Sequence, residues 1–284
     1  MEFYLQLLIN GLLLSLTYIL FALGLTLIFG IMDIVNFAHG DFFMLGAFGA
    51  YFFYGAFKIN YFLALLVSMA LVGVLGILAE KTLFYRLRRE VVLSFIIALG
   101  LSMILQSGTQ MVFGVPDQYV LPPYQTVFRA FGVSVPMRTL LPALIGGALA
   151  VGLVLFMRYV KQGRMLRAVA MDMDASALQG ISIARARALA WFLGCVLAGA
   201  AGVLLAPMGA INASIGQAPL VKAFGIVIIG GLGSVPGAIL GGLLLGLVES
   251  FGSAYIDASG PTMIWFGLVI LMLIVRPQGL LGHA

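Results

Sequence analysis

LQLLINGLLLSLTYILFALGLTLIF, residues 5–29, carries no charged side chain over its whole length. A helix that spans a bilayer needs about 20 predominantly apolar residues, so this run is long enough to cross. It is too long for the apolar core of a cleavable leader, and only the acidic Glu2 precedes it. It therefore reads as a retained spanning helix. The same criterion, carried outward, assigns further spans to residues 34–57, 61–79, 91–113, 140–159, 186–207, 223–234, 238–255 and 262–275. The run at 223–234 is short for a full crossing and reads as a broken or re-entrant piece. The fold expected is all-α: a polytopic integral membrane protein of eight to ten transmembrane helices, nine being the best single number. It forms one transmembrane domain over residues 1–284.

Composition agrees. Of 284 residues, 63% are hydrophobic and 9% charged, against roughly 25% charged in soluble domains. So few charges cannot cover a water-facing surface of this size, and the mean hydropathy of +1.16 has the same meaning. Thirty-six glycines suit membrane helices, where small residues let backbones approach closely. The net charge of +5 does not indicate nucleic acid, because the basic residues cluster in short loops between apolar runs, the pattern that orients a membrane protein. Cys195 stands alone in an apolar run and reads as a small packing residue. There is no phosphate-binding loop ending in Lys-Ser or Lys-Thr, no zinc-protease helix motif, and only two histidines, His39 and His283. Ser234 lies in a glycine-rich turn with no histidine placed to activate it. The chain reads as a non-enzyme that binds no cofactor or metal of its own.

The loops set the orientation. Lys81, Arg86, Arg88 and Arg89 lie between the third and fourth spans; Arg158, Lys161, Arg164, Arg167, Arg185 and Arg187 flank the loop after the fifth. Two crossings separate these loops, so both face the cytoplasm. That places the N-terminus outside, and Arg276 with the C-terminal tail inside. Residues 115–137 then lie outside, a turn-rich loop marked by Pro116, Pro122, Pro123 and Pro136.

Three stretches carry chemistry. GIMDIVNFAHGDFFMLGAF, residues 30–48, places Asp33, Asn36, His39 and Asp41 within nine positions. Polar groups inside a span are costly and mark function by default. Asp33 and Asn36 fit the cap of a helix start. His39 and Asp41 fit a bond to a neighbouring helix, contact with a passing solute, or proton coupling. AFGIVIIGGLGSVPGAILGGLLLG, residues 223–246, is the densest run of small residues, with a tight turn at 233–237. It serves close packing or exposes backbone along a path. Lys222, just before it, is expected to snorkel to the outer interface in preference to meeting a substrate carboxylate. RMLRAVAMDMDASALQGIS, residues 164–182, predicts a helix from about 165 to 179 ended by Gly180. Its partly apolar face (Leu166, Val169, Ala170, Met173, Ala177, Leu178) suits packing on the membrane surface or docking on a partner, with neither favoured. The glycine-interrupted runs 30–49 and 225–242 echo one another, as paired broken helices do around a transport path.

At these stretches the chain resembles the permease subunits of the branched-chain amino acid ABC importers. GLTLIFGIMDIVNFAHGDFFMLGAF (24–48), VKAFGIVIIGGLGSVPGAILGG (221–242) and RPQGLLG (276–282) match the family's signatures, and the likeness runs over nearly the whole chain. Within the family it is similar to the shorter, LivH-like subunit. The resemblance implies a LivM-like second permease, two cytoplasmic ATPase subunits that bind ATP and Mg, a periplasmic solute-binding protein, and residence in the lipid of a bacterial inner membrane. The polar cluster and the glycine-broken runs themselves place the expected substrate path near Asn36, His39, Asp41, Gly230, Gly231 and Gly233. The resemblance also implies that residues 160–185 dock on the ATPase through Arg167, Ala170, Asp174, Leu178 and Gly180. Urea, short amides or aromatic acids as solute, or action as a stand-alone channel or secondary transporter, are the alternatives.

Overall fold

The computed structural model describes residues 2–34, 36–85, 91–130, 132–256 and 260–282. In chain order the helices are α1 (Glu2–Met32), α2 (His39–Gly49), α3 (Tyr61–Ala79), α4 (Val91–Phe113), α5 (Met137–Tyr159), α6 (Lys161–Met171), α7 (Met173–Leu178), α8 (Ile183–Leu205), α9 (Gln217–Gly230), α10 (Val235–Tyr255) and α11 (Gly260–Val275). The run read first from the sequence becomes the spine. At 31 residues α1 is about 46 Å long, and every residue from Ile19 to Ile28 is buried. Burial on all sides of a helix means that it is surrounded by others. α10, α8, α5 and α9 enclose it, and α3 packs on α8. α4 and α11 lie outermost and expose Met103, Ile104, Met111, Ile270 and Ile274.

Among the described residues, six helices are long and apolar enough to cross a membrane, and α9 and α11 are shorter apolar helices. The all-α polytopic reading holds. Two helices end in π-helical turns that the apolar pattern does not reveal: Ala50–Ala56 continues α2 and Glu80–Phe84 continues α3. The second turns Glu80 inward, where its Oε1 lies 3.2 Å from Arg187 Nε of α8. Arg187 Nη2 also donates to the Phe84 carbonyl at 2.8 Å. The proline-marked loop 115–137 holds an antiparallel hairpin, β1 (Val127–Ala130) and β2 (Val133–Pro136). Its edge is tied to the start of α1, where Gln6 accepts from Ser134 N at 2.9 Å and donates to Ser134 O at 3.1 Å.

The loop after α5 departs from expectation. Instead of one helix over 165–179, α6 and α7 meet at Asp172, whose backbone is extended (φ −157°, ψ 108°). Asp172 Oδ1 accepts from Ala175 N at 2.8 Å. An aspartate offers the chain a cap in place of another helical turn, so the helix restarts there. Gly180, at φ +78°, ends α7 as its position predicts.

One end of the bundle gathers Lys81, Arg158, Lys161, Arg164, Arg167 and Arg185, on the ends of α3, α5 and α8 and on α6. The C-terminus of α1 is at this basic end, with Trp191 Nε1 donating to Met32 Sδ at 2.9 Å. Arg86, Arg88, Arg89 and His283 lie outside the described residues.

Candidate functional site

Beyond Met32 the chain does not start a second crossing at the interface. Asp33 takes a left-handed backbone (φ 52°), and by Asn36–Ala38 the chain has returned along α1. His39, the first residue of α2, stacks on Phe21 with ring centroids 4.8 Å apart, and its Nε2 lies 3.4 Å from the Phe21 carbonyl. Phe21 precedes Met32 by eleven residues, so α2 begins about 16 Å inside the bundle. The sequence favours that return because Asn36 Oδ1 accepts from Ala38 N at 3.1 Å, a local turn that competes with helix. The span expected over 34–57 is thus a non-helical return followed by α2 and its π continuation. Asp33 and Asn36 do not cap it: the N-cap is Ala38, with no side-chain bond.

The second half repeats the device in the opposite sense. α8 runs away from the basic end and finishes in a 3-10 turn, Ala206–Met208. Residues 209–216 then return inward, with Asn212 Oδ1 accepting from Ser214 N and Oγ. α9 begins inside the bundle and runs about 21 Å back to the basic end. The two broken helices meet N-terminus to N-terminus. A Cβ on Gly40 would lie 2.6 Å from the Gly216 carbonyl, and one on Gly216 would overlap the Gly40 carbonyl. Only glycine fits at both. The echo between 30–49 and 225–242 therefore locates the first break but misplaces the second, which falls at 209–216. No charge marks that segment; its signal is the Gly, Asn and Ser cluster between apolar runs.

Asn36 and His39 are fully buried and Asp41 is 4% exposed. Asp41 Oδ1 accepts from Gln106 Nε2 of α4 at 2.8 Å, Gln106 also reaches Ser102 Oγ at 3.0 Å, and Ser102 stands beside the same carboxyl. Asn36 Nδ2, His39 Nδ1 and Asp41 Oδ2 are buried without a hydrogen-bond partner. Each such group costs about 1–3 kcal/mol, so three within six residues is a concentration of unsatisfied polarity that packing alone does not explain. Phe37 lies among them, its ring 5.0 Å from both Phe95 and Phe224.

Gly230, Gly231 and Gly233 belong elsewhere. Gly231 (φ +105°) and Gly233 (φ +78°) turn the chain from α9 into α10 at the basic end. There Gly233 packs on Gly30 of α1 and Gly231 on Gly282 of the tail. Leu280 and Leu281 N–H donate to the Ile229 and Gly230 carbonyls at 2.8 and 3.0 Å, satisfying the open end of α9. Three sequence signatures thus converge on one turn, roughly 14 Å along α1 from the His39 cluster.

Lys222 does not snorkel. Its Nζ lies 2.7 Å from Glu249 Oε1 of α10, 3.1 Å from Tyr18 Oη and 5.1 Å above the Tyr18 ring. A counter-charge inside the bundle replaces the interface as its partner. Of the loop residues, Arg167, Ala170, Asp174, Leu178 and Gly180 are all exposed, and Met171 and Leu178 are nearly fully so, at 88% and 89%. Leu166 and Val169 bury instead against the bundle. The sequence reading passed over Gln106, Ser102 and Glu249, although a polar residue inside an apolar run is the general signal for all three.

The family described as branched-chain amino acid transport system / permease component matches residues 7–276. The chain belongs to this family. It is 33% identical to the high-affinity branched-chain amino acid transport system permease protein LivH of Escherichia coli K12, over 99% of this chain and 96% of that one. It is 34% identical to the corresponding permease protein BraD of Pseudomonas aeruginosa, with the same coverage. A probable permease LivH of the archaeon Methanocaldococcus jannaschii is 29% identical over 93% of this chain and 88% of its own. No solved structure matches.

Proposed function

We propose that this chain is the membrane-spanning permease subunit of an ABC importer that moves branched-chain amino acids across the bacterial inner membrane. The observation that carries the reading is the near full-length identity to permeases named for that transport. In this reading a LivM-like second permease completes the pore, and two cytoplasmic ATPase subunits bind ATP and Mg. A periplasmic solute-binding protein delivers the solute. The basic end, with the C-terminal tail, faces the cytoplasm. Asn36, His39 and Asp41 line the solute path, and the turn at Gly230, Gly231 and Gly233 serves as a hinge between α9 and α10. α6 and α7 dock on an ATPase through Arg167, Ala170, Asp174, Leu178 and Gly180. Exposed Met171 and Leu178 beside basic residues support that docking, because an apolar surface at a charged end suits a protein partner.

Tagged chain, purified and reconstituted with whatever co-purifies, is expected to take up leucine only with ATP and the partner subunits. Ala170→Glu should abolish ATP-driven uptake while the two permeases stay together. Uptake by the chain alone would mean a channel or secondary transporter. Uptake of urea, a short amide or an aromatic acid in place of leucine would overturn the substrate assignment.

A further inference from the structure

Two helix N-termini abut inside the bundle at Gly40 and Gly216. An N-terminus carries unpaired N–H groups and the positive end of a helix dipole, a setting that suits a carboxylate. Around the start of α2, three polar atoms of buried side chains have no partner: a donor on Asn36, a ring nitrogen on His39 and a carboxylate oxygen on Asp41. Donor and acceptor are both present. An anion would leave Asp41 unsatisfied and a cation would leave Asn36 unsatisfied, whereas a group with both charges a few ångströms apart would satisfy both. Phe37, Phe95 and Phe224 add an apolar wall beside the same turn.

We propose that the start of α2, with the start of α9, is the site that takes the zwitterionic head of the transported amino acid: Asp41 Oδ2 receives the ammonium, Asn36 Nδ2 and the helix N–H groups receive the carboxylate, and the Phe37 cluster flanks the aliphatic side chain. This rests on the importer reading. In the described conformation the Gly40–Gly216 contact closes the site, and parting α9 from α2 opens it. Gln106 holds the far oxygen of Asp41 and is a positioning residue.

The test uses the complete importer in proteoliposomes with its solute-binding protein. It reads radiolabelled leucine uptake and, separately, ATP hydrolysis stimulated by the leucine-loaded binding protein. Asp41→Asn is expected to lower uptake roughly tenfold or more, the scale of one lost charge-assisted hydrogen bond. Stimulated hydrolysis should stay within about twofold of the parent, and Asp41→Glu should recover part of the uptake. Asn36→Asp, which turns a donor toward the carboxylate into a like charge, should give the same split. Should Asp41→Asn fail to assemble, Asn36→Asp decides. Uptake near the parent level, or a parallel loss of uptake and stimulated hydrolysis in an assembled complex, overturns the site. A parent complex that takes up no leucine overturns the importer reading itself, and so fails at a different step.

Discussion

Glu80 and Arg187 show how a single side chain is held in a membrane bundle. Both are almost wholly buried, at 1% and 5% side-chain exposure, and the π turn at the end of α3 is what aims Glu80 at α8. Removing one partner of a buried pair strands the other, at about 3–5 kcal/mol. Arg187→Met should therefore lower the thermal midpoint of the detergent-solubilised protein sharply, and adding Glu80→Leu should restore much of it. The Lys222–Glu249 pair is less enclosed, at about a quarter exposed, and Tyr18 Oη also meets Lys222 Nζ, so Glu249→Gln leaves the lysine a partner and should cost clearly less in the same melt. Both acidic partners sit in apolar runs where a hydropathy reading sees only an interruption. The partner of each lies on another helix, beyond any sequence window.

Among the elements, α2 and α9 are the ones whose role depends on where they begin. Gly216→Ala would force a methyl into the Gly40 backbone, and overpacking of this kind costs about 1–3 kcal/mol or more. The variant should assemble poorly or lose leucine uptake, measured by recovery of the complex and by transport. Gly100 in α4 is the control, because a Cβ there meets nothing within 4 Å. Gly100→Ala should stabilise the protein by about 0.5–1 kcal/mol, since glycine in a helix interior carries that backbone-entropy penalty. At the other end, Asp172→Ala removes the cap that separates α6 from α7. A cap is worth about 0.5–2 kcal/mol, small against the whole bundle, so the melting midpoint should scarcely move. ATP-driven uptake should fall because the exposed face of α7 is re-aimed.

On the scale of the whole molecule, α1 and α3 both end at the basic end and α8 and α10 both start there, while the broken helices α2 and α9 between them run to opposite ends. Cys195 is buried in α8, so an added surface cysteine can be labelled against a quiet background. With this chain in vesicles that carry no ATPase subunits, Leu178→Cys should react with a membrane-impermeant maleimide only in inside-out vesicles, and Val127→Cys only in right-side-out ones. The reverse result would invert the orientation read from the basic loops. The apolar runs and the basic clusters around them were legible from sequence because the bilayer acts on each segment separately. A run of about 20 apolar residues is favourable in lipid whatever surrounds it. The sequence by itself therefore determined that the chain is an all-α membrane protein, where its long helices lie, and which polar cluster stands out. The tertiary structure decided that α2 starts deep in the bundle, that the second break falls at 209–216, and that Lys222 pairs with Glu249. Each of these depends on groups far apart in the chain, such as Gly40 and Gly216, whose mutual fit is a property of packed backbones and leaves no periodic trace in either segment alone.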